Sequence, residues 1–276
     1  KKPKRFGGSA YVGILEQGLQ VEGTNKNSKL SYLLGVRNRS NRNLLSRQDT
    51  KGNYVPSSAD FQALLTYQLN PKWSAELLSN ISQTKFTLIP ETSLLTTSIF
   101  SPVFTASLGV RIDFEGREKD AYQTNMLGFS LINQVSKKLK LKWMLSRFEN
   151  DETENLYIIG SYLFGERDFD KSSATFGEIV NPLGAGIYQN WARNSLNIEN
   201  WNISHKGNYD QGKHAFQWGV GYDKTKINDK LDEWEFQDSA GYALPYTPNL
   251  LRLNKVIKSS ANLDVNKFSG YIQDNI

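Results

Sequence analysis

The chain contains 276 residues, of which 12% are aromatic, and it carries a formal net charge of +5 without any cysteine. The lack of cysteine excludes a disulfide framework and a catalytic thiol. Lysine and arginine are scattered and form no basic helix or nucleic-acid-binding motif, so no nucleic-acid partner is expected. No apolar run reaches the roughly 18 residues of a membrane helix, although alternating strands can cross a bilayer without such a run.

The first half of the chain shows apolar and polar residues in alternation, the pattern of a β-strand with two different faces. In residues 29–39, Leu30, Tyr32, Leu34 and Val36 share one face. Ten or so residues give a strand of about 30 Å, the length that a tilted strand needs to cross a bilayer. The same alternation predicts strands at 7–23, 61–70 and 73–82.

The alternation resumes in the second half of the chain. It predicts strands at 106–114, 125–135, 138–148, 195–207, 214–223 and 262–276. In one of these strands the phase slips near Asn200, which predicts a β-bulge. No segment longer than about ten residues keeps a period of 3.6, so few helices are expected.

The connections between the predicted strands alternate between short and long. The short ones are 24–28, 70–72, 136–138 and 208–213, and the long ones are 40–58, 83–105, 149–194 and 224–258. Such alternation predicts an all-β, antiparallel up-and-down sheet with turns at one end and loops at the other, as in transmembrane β-barrels of the outer membrane. Loops of more than about 15 residues are uncommon in compact soluble domains. A large soluble β-sandwich is the alternative fold.

Several segments, in their order and spacing, resemble the barrel of TonB-dependent outer-membrane receptors of the kind common in Bacteroidota. They include "FGGSAYVGILEQGLQVEG", "KLSYLLGVRNRSNRNLL", "GAGIYQNWARNSLNIENWNISHKG" and "FSGYIQDN". The resemblance implies a large barrel around an N-terminal plug, located in the cell outer membrane, with uptake driven by the TonB complex. Residues 1–276 would then form the N-terminal part of the barrel domain, about 8–10 strands, with the plug and the remaining strands outside this sequence.

The two terminal strands of such a partial barrel need partners. Each unpaired backbone group in lipid costs several kcal/mol, so a membrane-spanning sheet cannot keep a free edge. We therefore expect the strands near 9–16 and 267–275 to pair with further strands rather than with each other. Direct pairing between them would instead close a small barrel.

Aromatic residues on the apolar phase are candidates for lipid contact and for the aromatic girdle at the membrane interface. They are Tyr32, Tyr67, Trp73, Trp143, Trp218 and Tyr222. In a sandwich core these rings would be equally at home, so their exposure distinguishes the two folds. Basic residues on the opposite phase are expected to face the lumen or the rim, and to line the wall rather than bind substrate. They are Arg37, Arg39, Lys140 and Lys142.

No motif for catalysis, for a cofactor or for a metal ion is present, so the protein is not expected to be an enzyme. His205 and His214 flank a predicted turn without the spacing of a metal site. The charged segments "EGREKD" (115–120) and "DETE" (151–154) are interpreted as solvated loops.

The predicted function is TonB-dependent uptake of a nutrient, with membrane lipid and the TonB complex as partners and a surface lipoprotein as a further candidate. One alternative is an outer-membrane barrel that serves as a structural or secretion-associated scaffold for surface lipoproteins. A TonB-contacting segment upstream of Lys1 would distinguish the two. The other alternative is a soluble β-sandwich adhesin or carbohydrate-binding protein, which would need no detergent to stay in solution.

Overall fold

The computed structural model describes residues 3, 5–40, 52–100, 105–238 and 253–276. These residues form one antiparallel sheet of 12 strands and contain no helix. The strands are β1 (Gly7–Val12), β2 (Glu16–Thr24), β3 (Leu30–Ser40), β4 (Gly52–Tyr54), β5 (Ser57–Gln68), β6 (Trp73–Pro90), β7 (Ser93–Phe100), β8 (Thr105–Gln134), β9 (Leu139–Arg167), β10 (Ile179–Gln211), β11 (His214–Gln237) and β12 (Lys255–Asn275). Within these ranges no helix is long and apolar enough to cross a membrane.

The strands follow one another across the sheet almost entirely in chain order. The order is β1-β2-β3-β5-β6-β8-β9-β10-β11-β12, and the short strands β4 and β7 pair with β6 and β8. Every pairing is antiparallel. The predicted all-β, antiparallel up-and-down fold is therefore confirmed. Strands β1 and β12 lie at the two ends of this order, and no pairing joins them within the described residues.

The short turns lie together at one end of the sheet, which we call the turn end. Backbone hydrogen bonds connect each turn to the strand beside it: Gln68 N–H donates to the Lys29 carbonyl at 2.7 Å, and Gln134 N–H donates to the Lys72 carbonyl at 2.8 Å. The predicted common rim of the short turns is therefore confirmed.

The long connections are shorter than predicted because the strands continue into them. Strand β9 ends at Arg167 and β10 begins at Ile179, so only 168–178 remains of the predicted loop at 149–194. The prediction for 83–105 is wrong for the same reason. Of the predicted loop at 224–258, residues 224–237 belong to β11 and 255–258 to β12, and 239–252 lie outside the described residues. The predicted loop at 40–58 includes 41–51, which also lie outside them. Some stretches of these extensions, such as 149–155, are polar on both faces, and others, such as 158–159, are apolar on both, so they lack the alternation from which strands were predicted.

The predicted bulge at Asn200 is wrong. Asn200 pairs in register with both neighbouring strands. Register shifts occur instead near the start of β10, around Pro182, which has no N–H to donate to a ladder. The apparent slip near Asn200 arises because the apolar residues change face there, from Ile203 to Ile198.

Neither face of the sheet is covered by a second layer within the described residues. Ala192 is the only buried hydrophobic residue among them, and the substantial contacts between strands all join hydrogen-bonded neighbours. A soluble domain instead buries large apolar side chains between two packed layers. The large apolar side chains of this sheet therefore contact whatever surrounds it.

Candidate functional site

The strand register decides which residues share a face of the sheet, because residues directly opposite one another in an antiparallel pair lie on the same face. Such pairs can be followed from strand to strand as a row. One row contains Tyr32, Leu65, Leu77, Phe129, Leu145, Ile203, Tyr222 and Phe268. We call the face that carries this row face A and the opposite face face B.

All six aromatic candidates lie on face A, two in each of three adjacent rows. The pairs are Trp73 with Trp218, Tyr67 with Trp143, and Tyr32 with Tyr222. None of the six is buried, and the rings of Trp73 and Trp143 stack with their centroids 5.8 Å apart. The structure thus brings the predicted aromatic residues into one zone of one exposed face. Contact of this zone with lipid stays a prediction.

The apolar side chains of face A form a band that runs obliquely across the rows. On β3, β5 and β6 the band extends away from the turn end as far as Val36, Phe61 and Ile81, which share one row. On β9, β11 and β12 it ends two rows nearer the turn end, at Leu145, Tyr222 and Phe268, and on β10 it ends one row nearer, at Trp201.

The boundary of this band moves in one direction across the whole sheet. On β1 the band ends at Val12. The row that contains Val12 reaches β12 at Asn262, which is six residues beyond Phe268, the end of the band on β12. Six residues correspond to roughly 20 Å along a strand, and ten adjacent strands to roughly 43 Å of width. The strands are therefore inclined by roughly 25° to the perpendicular of the band, in the direction of the 35–45° tilt typical of closed barrels.

Face B carries the four basic candidates, and three of them form an ion pair with a carboxylate on another strand, which is the adjacent strand for Arg37 and Arg39 and the next strand but one for Lys142. The pairs are Arg37–Asp60 at 2.8 Å, Arg39–Glu16 at 2.9 Å and Lys142–Glu76 at 3.5 Å. Lys140 has no carboxylate within 4.0 Å among the described residues. Most of this positive charge is thus already compensated within the sheet, which leaves little of it for a ligand.

Ser204 and His205 are adjacent in sequence but lie on opposite faces, so they cannot act together. The Ser204 hydroxyl donates to Asn202 Oδ1 at 3.1 Å, whereas the His205 ring packs against Trp143 with centroids 5.1 Å apart. The prediction that His205 flanks the turn is wrong, because this residue lies inside β10. Its Nδ1 is buried without a hydrogen-bond partner. In the part of the chain that the structure describes, no group of three acidic or histidine side chains could hold a metal ion.

Beyond the band, charged residues alternate in sign along β8 and are sorted onto the two faces. Arg117 and Lys119 lie on face A, and Glu118 and Asp120 lie on face B. The segments predicted as charged loops, "EGREKD" and "DETE", are both inside strands, so that prediction is wrong. In residues 117–120 a period of two in the sign of the charge was the signal that could have revealed the strand, whereas 151–154 carry no such alternation.

The carboxylates that this alternation places on face B form a cluster across three strands. The cluster consists of Glu118 and Asp120 on β8, Glu152 and Glu154 on β9, and Glu233 on β11. Asn194 Nδ2 donates to Glu154 at 2.8 Å and to Glu233 at 2.6 Å. Burial raises the pKa of Glu118, and the charges of Asp120 and Glu154 raise it further. One carboxylate oxygen of Asp120 is buried without a partner.

We expect Glu118→Gln to raise the free energy of unfolding near pH 7 and to have little effect near pH 4. The folded-state pKa of Glu118 is raised, so its favourable contribution is fully present below the unfolded pKa of about 4.3 and is lost as the pH rises through the folded pKa. Urea unfolding of the full-length protein at the two pH values measures the difference.

Asp168→Asn provides a control of opposite sign, because hydrogen bonds from Ser173 and Thr175 lower the pKa of Asp168. Neutralising Asp168 should therefore destabilise the protein near pH 7. An effect of Glu118→Gln that is the same at both pH values would contradict the role of its ionisation.

Comparisons of the chain with protein-family models, with curated proteins and with solved structures find no match. The resemblance to TonB-dependent receptors therefore stays a prediction from the sequence. Beyond it, function has to be inferred from the two faces of the sheet.

Proposed function

We propose that this chain forms part of the wall of a transmembrane β-barrel in an outer membrane, with face A toward lipid and face B toward the lumen. The observation that carries the proposal is the oblique apolar band of face A, which no protein layer covers within the described residues. A band inclined to the strands is expected where tilted strands cross a slab of hydrocarbon.

The size of the band favours a membrane over water as its surroundings. With a width of roughly 43 Å and a height of roughly 25 Å, the band covers on the order of 1,000 Å². The largest apolar patch on a typical soluble monomer is about 300–600 Å². The band includes exposed side chains such as Leu127, Ile203 and Val220, which in water would promote association.

The soluble β-sandwich is the weaker interpretation. A sandwich packs the apolar faces of two sheets against each other, about 10 Å apart. The described residues form one sheet, and no large side chain among them is fully buried. Of the six aromatic candidates that would fill such a core, Trp143 and Tyr67 are instead exposed and none is buried.

We propose further that the whole protein is a TonB-dependent receptor that imports a nutrient. This step rests on the resemblance in sequence, and the sheet alone is equally compatible with a scaffold for surface lipoproteins. In lipid, the outer edges of β1 and β12 need partners because unpaired backbone groups there cost several kcal/mol each. Growth on candidate nutrients with and without a functional TonB complex separates the two functions, since a scaffold needs no energy from the inner membrane.

Topological labelling of intact cells tests the orientation of the wall. We expect a membrane-impermeant thiol reagent to label a cysteine at Ser172, in the connection between β9 and β10, but not one at Lys72, in the turn between β5 and β6. Antiparallel strands place these two positions at opposite ends of the sheet. Residues 1–276 contain no cysteine, so cells that carry the unsubstituted protein provide the background for both positions. Labelling of both positions, or of Lys72→Cys alone, would contradict the orientation.

A further inference from the structure

A shallow concavity on face A lies well beyond the apolar band and is lined by three positively charged side chains. Its volume of about 730 Å³ is in the range of a small-ligand site, and its basic lining residues are Arg117, Lys119 and Arg193. Asn155, Tyr157, Ile89 and Gly116 complete the lining. No carboxylate contributes to it. Since the band ends near Leu145 on β9, the site lies about 12 residues farther along that strand, roughly 40 Å from the apolar zone.

The sheet register holds the polar groups of this site close together. Lys119, Asn155 and Arg193 form one row across β8, β9 and β10, and Arg117 and Tyr157 lie side by side in the next row. Adjacent strands are about 4.8 Å apart, and neighbouring rows on one face are about 6.6 Å apart. The five side chains thus occupy a patch of roughly 10 by 7 Å, the size of one sugar ring with a charged substituent.

The cations of this site are not neutralised by the protein. Arg117, Lys119 and Arg193 form no ion pair within the described residues, whereas nearby Asp232 on face A is paired with Lys258 at 3.8 Å. Arg193 is held in place because its Nη1 donates to two backbone carbonyls, that of Leu156 at 3.0 Å among them. Its remaining N–H groups stay available to an anion.

The backbone of β8 departs from regular strand geometry at the edge of this site. Gly116 has a φ of +94°, a conformation that favours glycine. A Cβ at this position would collide with the carbonyl oxygen of Tyr157. The site is therefore a distorted, concave part of the sheet and not a flat stretch of charged strand.

Aromatic rings border the cations on the side of β10 and β11. The Arg193 guanidinium lies over the Trp191 ring at 5.2 Å from its centroid, and Trp191 stacks on Trp234 with centroids 6.0 Å apart. Exposed aromatic rings next to arginine form surfaces on which the apolar face of a ring-shaped ligand can rest. Tyr157, which is exposed, lies opposite the half-buried Trp191 in the same row.

We propose that this concavity binds a phosphorylated sugar, with the phosphate held by Arg117, Lys119 and Arg193 and the sugar ring placed against Tyr157. Arginine recognises phosphate through charge-assisted, often bidentate hydrogen bonds. The sugar phosphate comes either from solution or from the glycan of a membrane glycolipid, since both present the same chemistry. The inference holds for the folded sheet and does not depend on the transport function proposed above.

Calorimetric titration of the full-length protein in detergent tests the site, with glucose 6-phosphate as the probe and glucose as its neutral counterpart. We expect saturable binding of glucose 6-phosphate that weakens with salt and is lowered at least about tenfold in Arg117→Gln and in Arg193→Gln. Lys72→Gln removes one positive charge at the turn end, and Glu118→Gln alters the residue next to Arg117 on face B. Both should bind like the wild type.

A second titration, with a phosphorylated glycolipid in mixed micelles, distinguishes the two sources of the ligand. Binding of either probe that is lost in the arginine variants supports the site, and the probe that binds identifies the source. Binding of neither probe to the wild type overturns the proposal. So does equal binding by the wild type and the two arginine variants, or binding of glucose as tightly as of its phosphate.

Discussion

Arginine in place of Leu77 is expected to lower the free energy of unfolding of the full-length protein in lipid bilayers by about 2–4 kcal/mol. Leu77 lies on face A at the middle of the apolar stretch of β6, between Trp73 and Ile81. If face A contacts hydrocarbon, this position lies near the middle of the bilayer, where a charged side chain is most costly.

The neighbouring leucine provides a matched control. Leu78 is 41% exposed and Leu77 is 36% exposed, so the two side chains differ mainly in the face on which they lie. Leu78→Arg should destabilise the protein by about 1 kcal/mol or less, because a charge on face B would meet water in the lumen. Urea unfolding in lipid vesicles measures both variants. Equal losses would contradict the assignment of lipid to face A, and a larger loss for Leu78→Arg would reverse it.

The strands that could be predicted from the sequence are those that alternate apolar with polar residues. In segments such as 29–39 and 73–82 the two faces have different surroundings, and the alternation of apolar and polar residues reflects this difference. The strand order also followed from the sequence, because short turns allow only neighbouring antiparallel strands to pair. The six aromatic residues could be assigned to one face for the same reason.

The parts that could not be predicted include those that are charged on both faces. In β8 and β9 the segments 115–120 and 151–154 are charged on both faces, so hydropathy does not distinguish strand from loop. Their pairing is stabilised by backbone hydrogen bonds along a ladder that begins in the apolar band. The basic site around Arg117 was missed for this reason, since its members come from three strands and are brought together only by the register.

Pairs of a glycine and an aromatic residue on neighbouring strands could not be predicted from the sequence either. In each pair the glycine lies directly opposite the aromatic residue, and a Cβ on the glycine would collide with the ring. The pairs are Gly18–Tyr11, Gly23–Tyr32, Gly186–Tyr162, Gly207–Trp218 and Gly219–Tyr271. Glycine in a strand is unfavourable by itself, and a ring that covers it restores the lost contact.

Replacing Gly207 with valine is expected to lower the free energy of unfolding by about 1–3 kcal/mol, because the Trp218 ring has to leave its place over the backbone. A Cβ at Gly207 would overlap the six-membered part of that ring, and no small adjustment of a flexible side chain can relieve the collision. The ring would have to adopt another rotamer and lose its packing on β10.

A double-mutant cycle with Trp218→Ala separates this collision from the general effect of a bulkier residue. Once the ring is removed, Gly207→Val should cost at least about 1 kcal/mol less than it does in the wild type. Gly35→Val is the matched control, because only one atom, the Leu19 carbonyl oxygen, lies within 4.0 Å of a Cβ there, and valine favours strands. It should therefore be neutral or stabilising. Additive losses in the cycle would show that the ring does not depend on the glycine beneath it, and the explanation for all five pairs would then have to be abandoned.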